Sequence, residues 1–149
     1  MNPNDGIERF VVAQNRVYQQ ALREIKNGKK LSHWMWFVFP QIRGLGFTDY
    51  NVYYGIKDLN EAGYYLNDPI LGKRLIEISQ AVLSQEGKTA KEIFGKPDER
   101  KLKSCMTLFT QIQNTNPVFQ KVLEKYYNGS IDDKTIEILV SQENNKWHL

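Results

Sequence analysis

With one cysteine in 149 residues, the chain can form no internal disulfide, and one Cys with two His is too few for a Cys/His zinc cage. That usage suits a reducing, cytoplasmic setting, and no metal or cofactor is expected. No segment approaches the ~20 apolar residues of a membrane helix. The N-terminus MNPNDGIERF lacks the basic-then-apolar order of an export signal, so no membrane partner is expected. Neither sign of charge dominates: 20 Lys and Arg against 17 Asp and Glu leave +3, too mild for a dedicated nucleic-acid binder. There is no Pro/Gly-rich linker, low-complexity tract or internal repeat, and the length suits one globular domain over 1–149.

What is present is a series of short amphipathic stripes. Asp5, three residues before Glu8, has the spacing of a helix start, in which the first carboxylate caps free N–H groups and the second reaches back. Phe10, Val11, Val17, Tyr18, Leu22 and Ile25 then recur at helical steps until Asn27-Gly28, which predicts one helix over 5–27. Asp58 and Glu61 repeat the capping spacing, and Asp68-Pro69 opens a helix with the stripe Leu71, Leu75, Ile78 and Val82. A short turn is predicted over 90–94 before Gly95. Pro97-Asp98 starts a longer helix with Leu102, Cys105, Met106, Phe109 and Ile112 on its core face. Asn116-Pro117 opens the next, with Phe119, Val122, Leu123 and Tyr126 inward and Asn128-Gly129 closing it. Asp132 or Asp133 caps a last helix through Ile136, Leu139 and Val140, and the tail 143–149 is expected to fray. The fold class is therefore all-α, with about seven to nine short helices and Leu22, Leu71, Leu75, Leu102, Phe109 and Leu123 in one core. The segment 31–56 is less settled: its apolar run 34–39 suits a buried strand or a buried helix, and Ser32 as cap and Pro40 as stop favour helix.

Unusual residues gather in two places. The first is Ser32-His33-Trp34-Met35-Trp36-Phe37-Val38-Phe39-Pro40-Gln41, followed by Gly44-Leu45-Gly46. So many large aromatics form either the centre of a core or the lining of a concave site, and apolar runs are more often packing. His33 is expected in a first helical turn, where the helix dipole favours a neutral imidazole. Gly44 and Gly46 suit either close backbone approach to a ligand or a turn with positive φ. The second place is the stretch 94–109, where Lys101, Ser104, Thr107 and Gln111 share one arc opposite the apolar stripe. That arc reads as a solvated face or, because Ser and Thr are mediocre helix formers, as a polar groove or anion site. Cys105 falls on the apolar side as a small core residue.

The string His33-Trp34-Met35-Trp36-Phe37-x-Phe39-Pro40-Gln41 with Gly44-Leu45-Gly46 carries a resemblance. So do Glu61-Ala62-x-x-Tyr65-Leu66, Pro69-x-Leu71-Gly72-x-Arg74-Leu75, and Phe94-Gly95-x-x-Asp98 ahead of Lys101-x-x-Ser104-x-Met106-Thr107-Leu108-Phe109. Together they closely resemble the bacterial domain-of-unknown-function family numbered eighteen-ten, some members of which have been mislabelled calpastatin. The resemblance runs from Phe10 to about Leu139. It implies an all-helical single domain and no established activity. Two positions depart from the family pattern: Cys105 stands where a second serine is usual, and Gly55 stands where alanine usually follows Tyr54. The first departure puts a role for that hydroxyl in doubt; the second is expected to loosen a helix.

Three functional readings follow. In the first, a small anionic ligand, nucleotide- or ribosyl-like, sits between the two clusters. Trp34 and Trp36 supply stacking surface, His33 and Gln41 hydrogen bonds, and Lys101, Ser104 and Thr107 an anion contact, with Asp98 or Glu61 as a general base if hydrolysis occurs. The shared-site residues are then His33, Trp34, Trp36, Gln41, Asp98, Lys101, Ser104 and Thr107. The second reading is a non-enzymatic interaction or structural module with the aromatic run as core. The third is nucleic-acid binding through basic residues and Tyr50, Tyr53 and Tyr54, which the interleaved acidic residues disfavour.

Overall fold

The computed structural model describes residues 3–145, and the side chains of residues 6–145. Ten helices follow one another: α1 (Pro3–Asn15), α2 (Tyr18–Lys26), α3 (Met35–Val38), α4 (Asp49–Tyr54), α5 (Leu59–Asn67), α6 (Leu71–Leu83), α7 (Ala90–Phe94), α8 (Asp98–Thr110), α9 (Val118–Tyr127) and α10 (Asp133–Asn145). The only pairing of extended backbone among the described residues is an isolated parallel bridge between Ile42 and Ile56. The fold is all-α, with no helix among the described residues long and apolar enough to cross a membrane.

Several helix starts rest on the side chains the spacing pointed to. Asp58 accepts from Glu61 N at 2.9 Å, and Asp68 accepts from the amides of Ile70 and Leu71 at 3.0 and 2.9 Å. At α7 a pair not singled out in the sequence, Thr89 and Glu92, forms a reciprocal capping box. Asp132 accepts from Thr135 N at 3.0 Å. Asn128, in the left-handed region at φ 54°, ends α9.

The predicted helix over 5–27 is two helices. Residues 16 and 17 form a turn in which Val17 N donates to Gln14 O at 3.0 Å. On the near side buried Gln14 donates to Phe37 O at 2.7 Å and to the Tyr65 hydroxyl at 2.9 Å. Beyond the turn, the Tyr18 hydroxyl donates to Glu77 Oε1 at 2.6 Å. The turn lets α1 pack on α3 and α5 while α2 packs on α6, which one straight stripe could not do. The start lies before Asp5, whose side chain is outside the described residues; of the tail 143–149 expected to fray, residues 143–145 instead continue α10, and 146–149 lie outside the described residues. The short helix α4, the other addition to the expected set, is capped by Thr48, which accepts from Asn51 N at 3.2 Å.

The six leucine and phenylalanine positions expected in the core are all buried. Phe10, Tyr65, Phe109 and Phe119 form a spine of rings through α1, α5, α8 and α9, with successive centroids 5.1, 5.6 and 5.6 Å apart. Val140, expected inward, is exposed; α10 buries Thr135 instead and leans on the core through Ile138 and Leu139.

Candidate functional site

The aromatic run divides. Trp34, Met35, Val38 and Phe39 are core residues, whereas Trp36 and Phe37 remain partly exposed. The helix within it spans only Met35–Val38, and Ser32 does not cap it. Ser32 instead donates from Oγ to Glu24 at 2.7 Å. The same carboxylate accepts from the amides of Leu31 and Ser32, at 2.8 and 3.0 Å, from Trp34 Nε1 at 2.9 Å and from Gln20 at 3.0 Å. Burial pushes the Glu24 carboxyl up, but these donors outweigh it and hold the group at about 2. Glu24 therefore fixes the loop 31–34 onto α2. Sequence spacing gave no hint of it, because a lone glutamate near a helix end resembles any solvated carboxylate.

Fixing that loop has two consequences for the expected site. Trp34, anticipated as stacking surface, is locked into the core by its indole N–H. His33, anticipated in a first helical turn, precedes the helix and is exposed, so the dipole argument does not apply to it.

The loop faces the beginning of α8 across a groove of about 340 Å³, whose lining includes Lys30, His33, Trp36, Lys96, Asp98 and Lys101. Asp98 is shared by two ammonium groups, at 2.9 Å from Lys30 Nζ and 3.7 Å from Lys101 Nζ. Lys30 Nζ also donates to Ser32 O and lies 4.9 Å from the Trp34 ring centroid; Lys101 Nζ lies 4.8 Å from that of Trp36. Four of the eight expected residues, His33, Trp36, Asp98 and Lys101, thus border one groove.

Ser104 and Thr107 do not border it. Both are buried, while Lys101 is partly exposed and Gln111 exposed, so only part of their arc is solvated. Ser104 donates back to Arg100 O at 3.1 Å. Thr107 donates to Lys103 O at 2.8 Å and accepts from Asp132 N at 2.9 Å, fastening the loop ahead of α10 to α8. Gln41 belongs to a second, adjoining cavity with Trp36, Ile42, Gly46, Tyr50, Asn51, Tyr54 and Gly55. Glu61, the other candidate base, is engaged by the Arg9 guanidinium at 3.0 and 3.3 Å and by Lys57 N at 2.9 Å. Burial raises the Glu61 carboxyl, but these contacts bring it below the ordinary range, so it is a fixed anion tying α1 to α5.

The two glycines of the first cluster have different reasons. Gly44 has φ +109°, while a Cβ on Gly46 would lie 2.3 Å from Asn51 Nδ2. Gly55 does not loosen a helix: it follows α4, and a Cβ there would meet Arg43 Cβ and Asn51 O at 2.8 Å. Cys105 is fully buried and its thiol is pushed well up by burial, in keeping with a core role. Among the described residues, no group of three or more His, Cys, Asp or Glu could hold a metal ion.

Residues 4–139 match the family model described as "Protein of unknown function (DUF1810)". The crystal structure of the conserved hypothetical protein Rv1873 from Mycobacterium tuberculosis is similar, with 46% sequence identity and a TM-score of 0.88. That likeness covers 90% of this chain and 96% of the other. No curated protein matches. The match over nearly all of the chain places it in the DUF1810 family of proteins of unknown function.

Proposed function

We propose that the chain binds a small anionic ligand with a planar part, of the nucleotide or ribosyl phosphate kind, in the groove between the loop 31–34 and the start of α8. One observation carries this reading: several buried polar groups are engaged by the fold, whereas some of those lining the two cavities beside Trp36 are left over. Glu24, Glu61, Ser104 and Thr107 are engaged. The side chains of His33, Gln41 and Lys96 have no hydrogen-bond or ion-pair partner among the described residues, although they line the cavities beside a tryptophan that is itself only partly covered. A partly exposed indole with three lysines and a histidine lining one groove suits a ring stacked beside an anion. Binding is favoured over hydrolysis, because Asp98 is held between two ammonium groups and Glu61 by Arg9.

Titration with ribose 5-phosphate and inorganic phosphate, followed by calorimetry, tests the reading. Saturable binding is expected, weakened about tenfold or more in Lys101→Ala by loss of a charge-assisted contact. Denaturant midpoints of His33→Ala and Gln41→Ala should stay at the wild-type value. The reading falls if neither compound saturates the protein, or if both alanine variants lose 1 kcal/mol or more, the cost expected for buried structural hydrogen bonds. That second result would favour a structural module with the aromatic run as core, a reading supported by the burial of Trp34, Met35, Val38 and Phe39.

A further inference from the structure

The bridge between Ile42 and Ile56 draws two distant pieces of chain together. Ile56 N donates to Gln41 O at 2.9 Å and Arg43 N donates to Ile56 O at 2.8 Å, so Gln41 is held beside Gly55 and the end of α4. Between them lies the second cavity, of about 10 Å³, the room of one water or one amine. Trp36 lines both this cavity and the lysine groove, so the two adjoin across one side chain. Asn51 also lines it, and its Oδ1 is buried with no hydrogen-bond partner. Gly46 packs so closely on Asn51 Nδ2 that any larger residue there would displace the carboxamide. Tyr50, on the rim, is exposed, and its ring centroid is 4.9 Å from that of Trp36.

A buried carbonyl oxygen without a donor costs free energy that the fold does not recover, and such an atom beside a ligand groove marks a place for a donor from outside. Its neighbour Gln41 also has a free carboxamide, able to donate and accept. Paired side-chain carboxamides suit a heteroaromatic edge that carries an N–H donor next to an acceptor.

We propose that Asn51 and Gln41 form a specificity subsite for an exocyclic amine on a planar ring, so that the ligand class is an amino-substituted nucleoside phosphate. The amine enters the small cavity and donates to Asn51 Oδ1, the ring lies against Trp36 and Tyr50, and the phosphate reaches the lysine groove. This deepens the anion-binding reading and rests on it.

The test compares adenosine 5′-monophosphate with ribose 5-phosphate by calorimetry on wild type, Asn51→Ala and Gln41→Ala, with a denaturant melt of each variant to establish folding. Wild type should bind the nucleotide more tightly than the sugar phosphate. Each variant should lose about tenfold for the nucleotide and stay within about twofold for the sugar phosphate. If Asn51→Ala is destabilised, Gln41→Ala, whose side chain has no partner in the fold, carries the comparison. Sugar phosphate binding with no nucleotide preference, or with equal losses for both compounds, overturns the subsite and leaves the anion reading standing. Failure of both compounds on wild type overturns the anion reading and the subsite with it.

Discussion

At the scale of single residues, the largest effects come from polar side chains turned inward. Glu24 receives donors from Leu31, Ser32, Trp34 and Gln20, and burial is outweighed so that its carboxyl sits at about 2 against an ordinary 4.5. A carboxyl that holds its proton less tightly folded than unfolded stabilises the fold fully above about pH 4.5. It loses that contribution as the pH falls toward 2, on the order of 3 kcal/mol in all. Urea melts between pH 6 and 2.5 should therefore show a steeper acid loss for wild type than for Glu24→Gln; parallel curves would remove Glu24 as the cause. The two hydroxyls of α8 make a contrasting pair. Thr107→Val leaves Asp132 N without its acceptor and should cost about 1 kcal/mol or more, whereas Ser104→Ala removes only a back-bond to its own helix and should cost little. Equal losses in chemical denaturation would contradict these separate roles. Neither substitution should alter ligand affinity, since neither residue borders the groove.

At the scale of elements, short helices depend on their ends. A helix of nine residues such as α5 has marginal stability of its own, so the Asp58 cap and the packing of Ala62 and Tyr65 must hold it together. Asp58→Ala should lower stability by about 1 kcal/mol in denaturant melts. The Asp68 carboxylate serves two amides at the start of α6, and Asp68→Ala should cost at least as much. A loss below about 0.3 kcal/mol for both would mean that water replaces these caps. These ends were legible because a cap is a local event: an acid three residues before the amide it serves needs no distant partner. The turn at 16–17 was not legible. Its cause is that Gln14 and Tyr18 bond to α3 with α5 and to α6 respectively, contacts made across 23 to 59 residues of chain.

For the whole molecule, the ring spine through Phe10, Tyr65, Phe109 and Phe119 joins four helices, and α6 is covered by α2, α5 and α9. Phe109→Ala should cost about 3–5 kcal/mol and Leu75→Ala about 2–5 kcal/mol, by lost transfer free energy and the cavity left behind. Equilibrium melts measure both, and a loss under half a kcal/mol for the pair would contradict a shared core.

The all-α class, most helix starts and the principal buried stripes were determined by the sequence itself, because helical periodicity and capping act within a few residues. Half of the candidate site could be named the same way, since Trp36, His33, Asp98 and Lys101 stand out by type and neighbourhood. Tertiary structure alone decided which of those side chains remain available. Trp34 is lost to the core through Glu24, Thr107 to the loop before α10, and Glu61 to Arg9. Asn51, unremarked in the sequence, stands out only in the folded chain, where its Oδ1 is buried without a partner and the residue lines the same cavity as Trp36. A side chain's type is written in the chain, but whether its hydrogen bonds are already satisfied depends on partners brought near only when distant segments pack.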